Sequence, residues 1–308
     1  MNPVKVSPAV LVTGATGRQG GTGRVVLEEL VAAGKTVRAL VRAIDDRAEH
    51  IRKLGAEVVV GDFADYASLN RALEGVASAY FCYPVGSGIV EAAGLFASAA
   101  RNQGVSRVVD LSLGTSRPDS PSPQGRAQWV AEQIFEWSGI RSMHLRIAAF
   151  FMENICYIDG ITIRTEGEIR NAFGTLPLPW VSSVDVGRVA ARLLLDLDAV
   201  AGTVVTLGGV EQLSYPDIVD AISAVTGSTV RYRELLPDEW RLELIERSRA
   251  RGNENTRGAD HLVAQAVALR GRPPINATDD VKMFLGEKTT CFRKFISCRR
   301  AELTPDAA

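Results

Sequence analysis

An apolar stretch that runs straight into glycines, V-L-V-T-G-A-T-G-R-Q-G-G-T-G from Val10 to Gly23, holds the residues best placed to do chemistry. Gly14 has the freedom for the positive backbone dihedrals of a tight turn, and Gly17 has no Cβ to keep a pyrophosphate off the main chain. A helix opening just beyond would aim unpaired N–H groups and the positive end of its dipole at those phosphates. An ordinary strand-to-helix turn can also carry a G-x-x-G; strand, turn, helix and second strand in this order point to a dinucleotide. Thr16, Arg18, Gln19 and Gly20 belong to the same turn and to the expected cradle. A fold that takes NAD places a carboxylate at the end of its second strand for the ribose hydroxyls. This chain has Arg42 there, and Arg18 in the turn reaches the same space. Two guanidiniums suit the 2′-phosphate of NADP, often in a forked geometry; the alternative is a pair of plain surface arginines.

The elements that must position these residues alternate through the first half. Strands are expected at Ala9–Thr13, Thr36–Val41, Glu57–Val60, Ala79–Tyr83, Arg107–Ser112 and Ser142–Ile147. Helices are expected at Arg24–Ala33, closed by Gly34, and at Ala48–Leu54, Ala67–Leu73, Ile89–Asn102 and Ala127–Ser138. Short apolar strands separated by helices imply parallel pairing, hence a doubly wound α/β sheet. After residue 150 the alternation breaks at prolines such as Pro177, Pro179, Pro216 and Pro237, and the substrate-facing part is expected there. Ser183–Leu197 reads as an amphipathic helix. The expected division is a dinucleotide-binding domain over 1–150, a C-terminal lobe over 151–303 with some segments returning to the core, and a disordered tail over 304–308. The arginine-rich run Arg247–Arg257 reads as a solvated helix and loop, or else as a basic contact patch.

Composition narrows the function. The 308 residues are 46% hydrophobic and carry 35 basic and 36 acidic side chains, a net charge of -1 that offers no field for nucleic acid or an anionic membrane. Cys82, Cys156, Cys291 and Cys298 form no C-x-x-C, and His50, His144 and His261 lie far apart, so no metal site is expected; Cys291 and Cys298 could pair under oxidation. The chain reaches a core strand by Val10 without a charged leader, and no later segment has about 18 uninterrupted apolar residues. A cytoplasmic protein is expected, with a small-molecule substrate and, as an oligomer, a homodimer.

The T-G-A-T-G-R-Q-G turn, the L-V-R at Leu40–Arg42, the G-D-F at Gly61–Phe63, the A-F-F-M-E-N at Ala149–Asn154 and the P-W-V-S-S-V-D-V-G-R-V-A at Pro179–Ala190 together resemble the NmrA-like group of atypical short-chain dehydrogenases. The resemblance spans roughly residues 9–210. It implies a Rossmann domain that binds NADP(H), with a small C-terminal α/β lobe over the nicotinamide end. Asp62 then matches the family's adenine contact, with Phe63 as a stacking wall beside it. Between Gly20 and Gly34 the chain is about three residues longer than the family pattern, so either Gly20 or Gly23 takes the third glycine role.

Short-chain dehydrogenases pair a Tyr acid with a Lys four residues on, and many NmrA-like proteins keep only the Lys, four residues before a Glu. Here Glu132 matches that Glu, which puts Gln128 at the Lys position and Gln124 at the Tyr position. Neither amide is a proton donor with a tunable pKa. The resemblance places Tyr83, Pro84, Ser112, Gln128 and Phe150 along the nicotinamide end, and Thr115, Phe151, Asn154 and Trp180 around the substrate. Tyr83 and Ser112 are the catalytic candidates; Tyr83 also reads as a plain strand-end aromatic. Asp110 is either hydrogen-bonded structure or a functional carboxylate with a raised pKa. Phe150, Phe151, Met152 and Trp180 form a flat apolar pocket or close the core under the lobe.

These features lead to an NADPH-dependent reductase of a flat conjugated molecule, a quinone, enone or aromatic ketone, whose delocalised product anion needs no dedicated donor. The alternatives are a non-catalytic NADP(H)-sensing regulator and a tailoring enzyme that performs a non-redox cyclisation or epimerisation.

Overall fold

Ala9 to Thr13 are all buried, as a strand covered on both faces requires. The computed structural model describes residues 8–17, 21–196, 200–252, 254–270, 278, 280–286 and 289–305. In it this segment is β1 (Ala9–Thr13), the switch strand of a seven-stranded parallel sheet. On one side lie β2 (Val37–Val41) and β3 (Glu57–Val60). On the other lie β4 (Val76–Phe81), β5 (Arg107–Leu113), β6 (Arg141–Ile147) and, from much later in the chain, β10 (Val204–Leu207). The order β10-β6-β5-β4-β1-β2-β3 reverses direction at β1, which opens a crevice at the carboxyl ends of β1 and β4. This is the expected doubly wound α/β architecture.

The crossover helices are α1 (Thr22–Ala32), α2 (Asp46–Lys53), α3 (Tyr66–Ala72), α4 (Ile89–Asn102) and α5 (Pro123–Trp137). Gly34, at φ 71°, closes α1: its N–H reaches Val31 O, and the Lys35 N–H reaches Leu30 O. Two boundaries differ from expectation for local reasons. Helix α5 begins four residues before Ala127, because Ser122 caps it through the Gly125 N–H and Pro123 fits the first turn. Strand β4 ends at Phe81, so Cys82 and Tyr83 stand beyond it, at the crevice.

After residue 147 the chain builds a second layer. β7 (Phe150–Phe151), β9 (Leu178–Val181) and β11 (Glu211–Leu213) form one small sheet, and β8 (Glu168–Asn171) pairs with β12 (Arg231–Glu234) in another. A π-helical turn, Ile155–Asp159, runs into α6 (Gly160–Glu166). The helix α7 (Ser183–Leu195) returns to the Rossmann layer, packed so closely on α1 that a Cβ on Gly187 would lie 2.6 Å from that of Val25. Leu197, expected in this helix, lies outside the described residues. The remaining helices are α8 (Tyr215–Thr226), α9 (Pro237–Ala250), α10 (Arg257–Leu269), α11 (Asp280–Leu285), α12 (Phe292–Cys298) and α13 (Arg300–Leu303).

Three expectations change here. Trp180 is fully buried, packs on Phe150 and Tyr215 and donates its ring N–H to Leu213 O at 2.9 Å; it is core of the lobe and not pocket wall. Arg247 is no solvated side chain: it pairs with Glu243 at 2.6 Å and with buried Asp159 at 3.4 Å, while Arg251 lies over the Tyr157 ring at 5.1 Å. Cys291 and Cys298 are free and stand at opposite ends of α12, about 10 Å of helix apart, too far for a disulfide without unwinding it. At the end of the chain Leu303 is buried, and the Thr304 N–H and hydroxyl both donate to Arg300 O; residues 306–308 lie outside the described residues.

Candidate active site

The glycine turn is shaped by what it must avoid. Gly14 sits at φ 74°, and a Cβ there would lie 3.2 Å from the Cβ and Sγ of Cys82. The Gly17 N–H closes the turn on Gly14 O at 3.0 Å. Gly23 decides the extra length of the loop: a Cβ on it would fall 2.6 Å from Thr13 O and 2.7 Å from the Gly14 carbonyl carbon. Only a glycine lets α1 come this close to β1, so the third glycine role belongs to Gly23, three residues later than Gly20. Arg18, Gln19 and Gly20 lie outside the described residues.

Below the turn every polar side chain is engaged. The Thr13 hydroxyl donates to Tyr80 O at 3.1 Å and accepts the Cys82 N–H at 2.8 Å, and the Tyr80 hydroxyl donates to Thr22 at 3.1 Å. Burial pushes the Cys82 thiol up to about 11, so it fills space and is no nucleophile.

At the ends of β2 and β3, Arg42 is exposed, and Asp62 is exposed with its carboxylate accepting the Ala64 N–H at 2.8 Å. Phe63 is half-buried, edge-on to Phe81 and Tyr83 at 5.3 Å each. A residue the sequence reading missed is Arg47. Asp45 caps α2 and grips the Arg47 guanidinium, whose Nη1 donates to Thr16 O at 2.9 Å. The signal was an Asp cap followed two residues later by Arg, after a strand already followed by Arg42. Arg47, Thr16, Gly17, Arg24, Tyr157 and Arg299 line an open cleft of about 610 Å³.

The carboxyl ends of β4 and β5 are less ready for acid-base work. The Tyr83 hydroxyl donates to Ser87 O at 3.0 Å; burial, and then Asp62 and Glu91, raise its pKa, and Pro84 next to it is exposed. Ser112 is buried and donates to the Glu132 carboxylate, which also receives Arg146 Nε at 3.0 Å. Gln128 is buried and donates to Leu111 O at 3.3 Å. Ser112 and Gln128 thus tie α5 to β5 rather than facing the crevice. Asp110 is structural as well: it is held by His144 Nδ1, and His144 Nε2 meets Glu136 at 3.0 Å. Burial alone would lower the imidazole, but Asp110 and then the acidic neighbours outweigh it and push His144 up to about 9.

Phe150 is half-buried, with its edge against Phe173 at 5.1 Å, and Phe151 beside it is also half-buried. Asn154 precedes the π-helical turn, and Glu153, buried, accepts the Ser183 N–H and hydroxyl at the start of α7. Thr115, in the loop after β5, has its hydroxyl oxygen buried with no partner.

A sequence profile of the NmrA-like family matches residues 7–251. The chain belongs to the NmrA-like family. Among its relatives, a (4-alkanoyl-5-oxo-2,5-dihydrofuran-3-yl)methyl phosphate reductase of Streptomyces griseus is 32% identical over 238 residues, 77% of this chain and 80% of that one. An NAD(P)H azoreductase of Xenophilus azovorans is 29% identical over 226 residues, covering 72% and 76% of the two chains. The Citrobacter sp. triphenylmethane reductase, solved with NADP(H), superposes with a TM-score of 0.76 at 20% identity over 94% of this NmrA-like chain and 99% of its own. The family match ends at residue 251, before α10.

Proposed function

We propose that this NmrA-like protein is an NADP(H)-dependent reductase of a flat conjugated small molecule. The observation that carries this reading is the glycine cradle at the crevice, in which a Cβ at residue 14 or 23 would collide; the resemblance adds that Gln124 and Gln128, both buried, take the positions of the proton-donating pair. The residues present fit the cofactor. Gly14 and Gly17 leave room for a pyrophosphate at the start of α1, and Arg42, with Arg47 held by Asp45, supplies cations for a 2′-phosphate where an NAD-binding fold ends β2 in a carboxylate. Asp62 and Phe63 border the adenine side, and Tyr83, Pro84 and Phe150 the nicotinamide side. Bound there, NADPH supplies a hydride. Phe151 and Asn154 then orient an acceptor whose electrons delocalise, since neither Gln124 nor Gln128 can protonate an alkoxide. The names of the Streptomyces and Xenophilus relatives, a reductase of an unsaturated lactone and an azoreductase, support the same class of acceptor.

The test is NADPH oxidation over a panel of quinones, enones and plain aliphatic ketones, with a mass spectrum of each mixture. Turnover of the conjugated acceptors is expected. Turnover of aliphatic ketones at roughly 10 per second, an ordinary enzymatic rate, overturns the reading. The two buried glutamines also favour a second reading, an NADP(H)-sensing regulator: tight cofactor binding with no turnover of any acceptor would select it. Product formed without NADPH loss would select a non-redox tailoring enzyme.

A further inference from the structure

The open cleft beside the glycine turn is walled by parts of the chain that are far apart in sequence. The dinucleotide layer supplies Thr16, Gly17 and Gly21, and the lobe supplies Tyr157 of the π-helical turn together with Arg299 and Glu302, at the start of α13 and within it. Arg299 and Glu302 stand beyond residue 251, where the family match ends. At about 610 Å³ the cleft has the size of a small-ligand site.

Its charges say which ligand. Gly21 caps α1 without a side chain, and the first turn of that helix holds no acidic residue, so its positive end meets the cleft uncompensated. Of the guanidiniums on the lining, Arg47 is held by Asp45 and Thr16 O, and Arg24 leans on Glu28 at 3.7 Å. Arg299 comes from the lobe. It donates through Nη1 to Glu302 Oε1 at 2.7 Å, which leaves Nε and Nη2 able to donate elsewhere. The two side chains are 41% and 46% exposed, and a surface pair at i,i+3 is screened by solvent, so the guanidinium can turn away from Glu302 at small cost. Asp46, Glu153 and Glu302 also line the cleft. Glu153 is engaged with the Ser183 N–H and hydroxyl, and Asp46 sits in the first turn of α2; Glu302 is the carboxylate that does for Arg299 what a ligand phosphate would do.

We propose that Arg299 binds the pyrophosphate of NADP(H) from the lobe side, exchanging the Glu302 carboxylate for a phosphate oxygen, so that the cofactor is gripped between the start of α1 and the C-terminal segment. The proposal rests on the cofactor placement given above, with the pyrophosphate at Gly17 and the start of α1, and it needs no turnover. Arginine suits the task because its planar fork matches phosphate oxygens. The pyrophosphate is common to NADPH and NADH, so Arg299 adds affinity for both and selects neither. Selection stays with the arginines near the 2′-phosphate.

The test is calorimetric titration of the full-length protein with NADPH and with NADH. Arg299→Ala is expected to weaken both about tenfold, and Arg299→Lys, which keeps the charge without the fork, to recover part of the loss. Glu302→Gln removes the competing carboxylate and should tighten both, by about threefold. The opposite signs separate a ligand contact from a brace, because a purely structural Arg299–Glu302 pair would cost binding in both variants. Unchanged affinity in Arg299→Ala, a loss confined to NADPH, or weaker binding by Glu302→Gln overturns the proposal. Should Arg299→Ala fail to fold, the sign of the Glu302→Gln effect decides alone. Binding that follows this pattern while no quinone or enone oxidises NADPH leaves Arg299 in its role and sinks the reductase reading; a wild-type protein that binds neither dinucleotide overturns both.

Discussion

The glycine turn after β1 and the segment after β5 both leave the carboxyl end of a strand of the central sheet, yet they are built in opposite ways. Beneath the turn, Thr13, Thr22, Tyr80 and Cys82 partner one another, and glycines hold the backbone where a Cβ would collide. After β5, four buried oxygens have no partner. The first region is complete without its ligand, so its task is rigid positioning. The second keeps unspent hydrogen-bonding capacity, which a fold tolerates where a ligand or water supplies what is missing.

The strongest way to break this comparison is Gly23→Val. The added side chain would drive into Thr13 O and the Gly14 backbone, forcing α1 off β1. We expect dinucleotide binding to be abolished and stability to fall by about 3 kcal/mol, as overpacking at rigid backbone does. Calorimetric titration with NADPH alongside urea unfolding checks both; tight binding by the variant would mean that the third glycine is elsewhere.

A buried histidine marks each side of the second region, and the two should respond to pH in opposite senses. His144 is raised from 6.5 to about 9, so its ion pair with Asp110 stabilises the fold fully below pH 6.5, and that stability is lost as pH rises through 9. His261 is lowered from 6.5 to about 4 by burial, so its contribution is complete above pH 6.5 and is lost as pH falls through 4. Each arm spans about 3 kcal/mol. Unfolding midpoints across that range should show His144→Phe flattening the alkaline arm and His261→Asn the acid arm. If either variant flattens the other's arm, the pairing of each histidine with its region is wrong.

The smallest effect sharpens the first region. Arg47→Ala should weaken NADPH binding about tenfold, roughly 1.4 kcal/mol, and leave NADH unchanged, since only the 2′-phosphate needs the guanidinium. Equal losses for both cofactors would show that Arg47 acts by bracing Thr16 O.

Much of the fold was written locally. Strands such as Ala9–Thr13 and Arg107–Leu113 are apolar runs, and Gly34 and Ser122 mark helix ends through backbone chemistry that acts within a few residues. The β10 strand was not legible, because its four residues alternate exposed and buried at a sheet edge and find β6 only after 56 intervening residues. Phe150 and Trp180 could equally have been pocket or core, since apolar surface does not name its partner; Leu213 O and the Tyr215 ring decided it for Trp180. Ser112 looked free to serve in catalysis until Glu132, a helix away, claimed its hydroxyl.

By itself, then, the sequence determined the α/β alternation and the glycine-rich turn that opens α1, both of which depend on residue type and short spacing. Only the tertiary structure decided that Gly23 seats α1 against β1, that Arg47 reaches the turn, and that the oxygens after β5 meet no partner. Those outcomes depend on distances of about 3 Å between segments far apart in the chain, and no local pattern encodes such distances.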